Sequence, residues 1–337
     1  MANTGNITVT ERDMNPNSPT YDTTRTRTYQ DTTRCPVGQF KLRYTTSSGT
    51  TDIPCNGDTT LSRSETSSTL PSYLTAEVGT CVEVIDQAFC TYSPTLSTQA
   101  IVTSVTIPNT VTEITGLSFL KCYYLASIAI PDSVETIGLN PFQSCYSMGS
   151  MTVDANNTHY DSRNNCNAII HTSDNTLISG CRNTVIPNTV TAIADNAFDG
   201  VLTTFSSPSG PTTISIPSSV ISVGDSAFYS CNSLTSLNFP DSVTSIGGLA
   251  LYNCTALRTV TFGSGLTSIS SHTFYHCDSL ESITFRSVVP PSMGTPLGDV
   301  FPYTNNCPIY VPASSVSAYK NATGWSDLAS RIQAIPT

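Results

Sequence analysis

The sequence predicts a β-rich solenoid: coils of about 23 residues, each carrying one short strand, stack into a parallel sheet and return through turns or short helical segments. Three observations predict it. The phrase Leu234-Thr-Ser-Leu237-Asn-Phe239-Pro240 returns as Leu257-Arg-Thr-Val260-Thr-Phe262-Gly263 and as Leu280-Glu-Ser-Ile283-Thr-Phe285. Upstream, the same frame holds at Leu125–Pro131 and Met148–Val153. A large apolar residue recurs behind the strand, at Phe89, Phe119, Phe142, Phe198, Phe228, Leu251 and Phe274. Finally, a proline follows the strand at Pro108, Pro131, Pro187, Pro217 and Pro240. Lacking an N–H, it cannot extend the ladder, so it ends the strand and opens a turn.

Residues 1–80 come first and differ from the rest. They hold twenty Thr and few apolar side chains. Alternating Thr and Arg favours strands that pair with something else, because little core is available. This stretch reads either as a flexible leader or as an attachment and oligomerisation segment. The second reading places the contacts at Asn15, Pro16, Tyr21, Arg25, Arg27, Tyr29 and Arg34. The solenoid follows over 81–286. One coil cannot bury its own apolar face, so stacking makes the core continuous. An irregular polar stretch at 154–183 does not fit one coil and reads as a hairpin-like enlargement. Residues 287–337 read as a strand–helix cap, with Ile309 and Val311 on a last strand. Tyr319, Trp325, Leu328 and Ile332 would lie on one face of a short helix, with Trp325 as its anchor.

The apolar-x-x-apolar-x-apolar frame at this period is that of a leucine-rich repeat. The fuller run Val-x-x-Ile-Gly-x-x-Ala-Phe-x-x-Cys-x-x-Leu-x-x-Leu-x-Phe-Pro is approached by Val220–Pro240 and Val243–Phe262. It resembles the BspA-like leucine-rich repeats of gut Bacteroidales and some protists. The stretch 151–187 resembles that family's variant repeat, and Tyr319–Ser326 resembles its C-terminal end. The resemblance implies the fold, and adhesion as one of several roles. The phrases Asn15-Pro-Asn-Ser-Pro-Thr-Tyr21 and Thr32-Thr-Arg-Cys-Pro36 resemble virion proteins of crAss-like bacteriophages. That second resemblance implies a fibre or appendage protein of the particle.

Charged residues are only 11% of the chain, and the net charge of −10 sits mostly beyond residue 80. No basic stripe is present to neutralise phosphates, which argues against nucleic acid. No apolar run approaches membrane-spanning length. The start, Met1-Ala-Asn-Thr-Gly-Asn, has no basic and apolar leader, so no secretory signal is read there. Of the twelve Cys, Cys122, Cys145, Cys231, Cys254 and Cys277 stand three residues after the Phe/Leu position. They read as buried apolar thiols; bonds between adjacent coils, or Cys166 to Cys181, are geometrically open alternatives.

Catalysis and cofactors find no support. His159, His171, His272 and His276 form no metal-ligand pattern. Asp86, Asp195 and Asp225 suit turn capping. Two surface features remain. Outward strand positions such as Ser236/Asn238, Thr259/Thr261 and Ser282/Thr284 are small and polar, mostly hydroxyls. Tyr229, Tyr252 and Tyr275 follow the Phe/Leu position in successive coils, and Tyr123 and Tyr146 recur at a neighbouring register. This strip reads either as half-buried packing or as a surface for sugar rings or a protein. The expectation is a non-enzymatic structural and adhesion protein, a bacteriophage head or tail fibre or appendage component located in the virion. It would dock to other virion proteins and sister chains, as a homo-oligomer, through residues 1–80. Its solenoid would touch host-surface or mucus glycan or protein. The alternative is a secreted bacterial surface adhesin.

Overall fold

The computed structural model describes residues 6–12, 24–30, 40–46, 49–54, 59–62, 74–80, 82–89, 102–200, 212–294, 300–304 and 306–337. The expected coils are there, in a stack of about ten. Each coil contributes two short strands to two parallel ladders. One ladder holds the repeat phrase: Ser236–Phe239, Thr259–Phe262 and Ser282–Phe285 pair in parallel, with Leu237 opposite Val260 and Val260 opposite Ile283. The other holds two-residue strands, among them Ser222–Val223, Ser245–Ile246 and Ser268–Ile269. The returns are thus minimal strands and turns.

The physical roles of the repeat positions are explicit. The carbonyl of each strand-ending proline accepts the N–H of the valine three residues on, at 3.0–3.4 Å from Val111, Val134, Val190, Val220 and Val243. The proline therefore starts a closed turn that drives a fully buried valine back into the core. At the Phe position, the backbone N–H crosses to the next coil: Phe198 to Ala227, Phe228 to Ala250, Leu251 to Thr273, and Phe274 to Val300. Buried rings stack along the same line, Phe89 on Phe119 at 5.1 Å and Phe119 on Phe142 at 5.2 Å. Beyond the enlargement Phe198 stacks on Phe228 at 5.2 Å and Phe274 on Phe301 at 5.3 Å.

The stretch 154–183 is an antiparallel excursion. Tyr160–Asp161 pairs with Ala168–His171, which pairs with Thr176–Gly180, and only then does parallel stacking resume at Ala192–Ile193. It separates the Phe column into two runs, and the core into an upstream and a downstream cluster. Gly180 lies against the Phe198 ring, where an added Cβ would come within 2.1 Å of the ring. No side chain fits at that position.

Stacking extends past both expected boundaries. Upstream of residue 81, Thr60–Ser62 pairs in parallel with Val84–Asp86, and Leu74–Val78 with Val102–Thr106. Leu42, Leu61, Ala76 and Val78 join the upstream core, so few apolar residues suffice when strand alternation aims them inward. Asn6–Arg12 and Thr24–Gln30 form a separate antiparallel pair. Downstream of residue 286, Ser292–Met293 continues one ladder and Phe301 the ring column.

The cap differs from one helix. Ile309–Val311 does add a strand, and Ile332–Ala334 adds another beside it. The helix spans only Val316–Asn321, because Ala322 is extended and Gly324 has φ +80°. Trp325 is nonetheless the expected anchor: it is fully buried, stands edge-on to Phe285 and donates Nε1–H to the Pro291 carbonyl at 2.8 Å.

Candidate functional site

The tyrosine strip is a physical column. One residue past the buried Phe/Leu position the side chain points to the coil's outer edge. Parallel stacking of coils then sets like residues one above another. Tyr229 and Tyr252 lie 4.8 Å apart with planes 3° from parallel, and Tyr252 and Tyr275 lie 5.3 Å apart at 2°. Tyr123 and Tyr146 make an equivalent pair at 4.9 Å and 2° in the upstream half. All five are half-buried. Such stacking consumes ring faces: an interior tyrosine turns both faces to its neighbours and shows only an edge outward. The column therefore supplies a rail of ring edges, one per coil. It does not supply a series of open faces on which sugars could lie.

The two tyrosine sets are separated by a residue that sequence reasoning missed. Asp199 occupies the position homologous to Tyr229 in the preceding coil and is only 5% exposed. Its Oδ2 accepts Asn140 Nδ2–H at 3.1 Å and Gln143 Nε2–H at 2.7 Å, both from the coil before the enlargement. Burial pushes its carboxyl up to about 6 despite those two donors. Burial also raises the Tyr146 and Tyr229 hydroxyls, and the Asp199 charge adds to both shifts. Asp199 thus joins the halves of the solenoid through side-chain hydrogen bonds.

The column also continues farther than the repeat phrase indicated. His276 sits edge-on to Tyr275 at 4.6 Å and to Tyr252 at 6.0 Å. Tyr303, from the coil after residue 286, stacks on His276 at 4.7 Å and 16° and meets Tyr275 edge-on at 5.0 Å. The signal was the Phe301-Pro-Tyr303 phrase, which keeps the buried Phe but moves the tyrosine one position on.

The outward hydroxyls form an in-register grid. Ser236 stands opposite Thr259 and Thr259 opposite Ser282, with Asn238, Thr261 and Thr284 beside them. An open pocket of about 310 Å³ lies at one end of this grid, lined by Thr213–Ile216, Ser236 and Asn238.

The other singled-out residues have structural roles. Asp195 Oδ1 accepts the Asp225 N–H and Asp225 Oδ1 the Gly248 N–H, so each caps the next coil's backbone. Asp86 accepts the Thr115 hydroxyl. His171 faces Asp174 at 3.2 Å on the enlargement. All eight described cysteines are buried thiols, Cys166 and Cys181 included. Each ladder thiol donates to the Phe/Leu-position carbonyl one coil back, as Cys254 does to Phe228 at 3.2 Å. The apolar surroundings disfavour the thiolate and leave the thiols inert; burial pushes Cys254 up to about 12. Among the attachment candidates, Arg25, Arg27 and Tyr29 fall on the strand Thr24–Gln30, opposite Glu11, Val9 and Ile7. Asn15, Pro16, Tyr21 and Arg34 lie outside the described residues, as do Cys35, Cys55, Cys81 and Cys90.

No curated protein matches the sequence. Among solved structures, the chain is similar to a leucine rich cell surface protein from Faecalibacterium prausnitzii A2-165, at 22% identity and a TM-score of 0.56. The likeness covers 77% of this chain and 63% of that one. It is also similar to the pneumococcal vaccine antigen PcpA, at 17% identity and a TM-score of 0.50, over 76% and 64% of the two chains. The chain thus spans less than two thirds of either neighbour. The BspA type leucine rich repeat region model matches in six copies over residues 95–177 and 172–289, more than half of the sequence. With that match laid over the coils described above, the chain belongs to the BspA type leucine-rich repeat family.

Proposed function

We propose that this chain is a non-enzymatic adhesion protein that presents its solenoid to surface glycans. Leucine-rich-repeat solenoids are typically interaction proteins, and their extended faces bind through repetition. The observation that carries the reading is the spacing of the tyrosine rail. Phenol edges recur once per coil at 4.8–5.3 Å, in line with the coil axis. The hydroxyl grid repeats with the same period. A periodic polar surface of this kind matches a periodic, hydroxyl-rich polymer, and the acidic solenoid selects against polyanions.

The leader's likeness to crAss-like phage virion proteins supports a head or tail appendage, with residues 1–80 gripping other virion proteins or sister chains. The Faecalibacterium neighbour, a cell surface protein, supports a bacterial surface adhesin equally well. Detection of the polypeptide in purified virions would favour the first carrier; detection in a bacterial envelope fraction would favour the second. For the shared adhesion role, purified chain is applied to mucin-coated plates. Retention of the native chain, and weaker retention of Tyr252→Ala at unchanged circular dichroism, is the expected result. No retention of the native chain on mucin or on a neutral glucan would remove the reading.

A further inference from the structure

We propose that the exposed face of Tyr303 is a stacking platform for one pyranose ring of a neutral glycan, placed at the C-terminal end of the tyrosine rail. This rests on the glycan-adhesion reading and locates its tightest contact.

The argument begins with ring faces. A sugar ring packs its apolar C–H face against the flat face of an aromatic ring, so the platform must keep one face open. The interior tyrosine Tyr252 has neighbours on both faces. Tyr303 is different. One face rests on the His276 imidazole, 4.7 Å away and 16° from parallel, and its edge contacts Tyr275. Yet 58% of the residue is exposed, more than any other described aromatic among the exposed large hydrophobics. With one face covered and the side chain mainly in solvent, the opposite face is the open one.

The ring is also rigidly supported. His276 is itself pinned edge-on between Tyr252 and Tyr275. Below the platform, Thr304 is buried and its hydroxyl donates to the Phe301 carbonyl at 2.8 Å, fixing the turn that carries Tyr303. Tyr303 adopts φ +56°, a left-handed conformation that a bulky aromatic adopts only at a cost. The homologous turn position is left-handed in the preceding coils too, at Lys121, Ser144, Gly200, Ser230, Asn253 and His276, so the repeat's own turn geometry sets the backbone that carries Tyr303. Asp278, 3.9 Å from His276 and well exposed, stands next to the residue that backs the platform. An open aromatic face on an acidic chain fits a neutral, hydroxyl-rich ring. It does not fit an anionic one, and the chain's net charge of −10 points the same way.

The test is native affinity electrophoresis of the full chain through gels containing desialylated gastric mucin or yeast mannan. Three proteins are compared: native, Tyr303→Ala and Tyr303→Trp. We expect the native chain to be retarded, Tyr303→Ala to lose about tenfold in apparent affinity, and Tyr303→Trp to keep it. Tyr303 is at the surface, so melting curves of both variants should overlay the native one; the Trp variant separates loss of the aromatic face from any local disturbance. Equal retardation of native and Tyr303→Ala overturns the platform and leaves glycan adhesion standing. Loss of retardation in both variants assigns Tyr303 a merely structural role and also overturns it. A native chain retarded by neither polymer overturns platform and adhesion together.

Discussion

The Cys254 thiol sits 3.2 Å from the Phe228 carbonyl oxygen, one coil back, and the same contact recurs from Cys122 to Phe89, Cys145 to Phe119, Cys231 to Phe198 and Cys277 to Leu251. A small side chain that is apolar yet able to donate one weak hydrogen bond is what this site requires. The contact links the ladder to chemistry, because a buried thiol whose ionisation is pushed up to about 12 supplies almost no thiolate at neutral pH. These five cysteines should therefore resist iodoacetamide in the native chain and react only on unfolding. Peptide mass mapping after alkylation, with and without denaturant, reads this directly. Rapid native labelling of Cys254 would mean that the coil opens locally.

Phe228→Ala removes a ring stacked on Phe198 and fully buried in the downstream core. The cost should be about 3–5 kcal/mol. Coupling in a solenoid passes through neighbouring coils, so the change should also divide the unfolding transition instead of merely shifting it. Urea denaturation followed by circular dichroism should show a biphasic curve. A single transition with an unchanged midpoint would contradict the column.

Asp199 gives the pH dependence a definite sign. Its folded-state ionisation lies near 6, above the ordinary 3.8, so the native chain binds more protons than the unfolded chain between those values. Stability from this group is therefore present at low pH and lost as pH rises through about 6. At neutral pH the penalty is at most about 3 kcal/mol, from a shift of roughly two units. Asp199→Asn should melt higher than the native chain at pH 7.5, and the gap should shrink by pH 4.5. Melting temperatures at the two values decide it; a gap independent of pH would show that burial of the carboxylate costs nothing.

What could be read in advance, and what could not, follows from where the information lies. The 23-residue spacing of Phe228, Leu251 and Phe274 is local, and each residue acts on its next-coil neighbour, so the stack and its thiol ladder were legible. Asp199 was not, because Asn140 and Gln143, the groups that satisfy it, lie 59 and 56 residues away across the insertion. Both ends were placed too far inward for another reason. Thr60–Ser62 and Ser292–Met293 pair through backbone groups, which any residue supplies, and Phe301 follows Met293 at a longer spacing than Phe274 follows Ile269. The tyrosine strip was visible as a row, but ring orientation was not. Only the 2–3° interplanar angles reveal that its faces are spent on one another.

The cap makes the last prediction. Trp325 covers Phe285 at 5.0 Å and Phe301 at 5.9 Å, and Tyr319 adds a hydroxyl bond to Ser287 beneath them. Without this cover the final coil would offer an apolar end, and strand edges would be open to a second chain. Trp325→Ala should cost about 3–5 kcal/mol locally. Because the damage lies at one end, the central coils should persist while the exposed end associates with others. Light scattering should then report concentration-dependent assembly at temperatures where circular dichroism remains native. As the only Trp in the chain, Trp325 gives a second readout: its emission should be blue-shifted in the native protein and move to longer wavelength before the main transition on heating. Simultaneous loss of both signals would mean instead that cap and coils unfold as one unit.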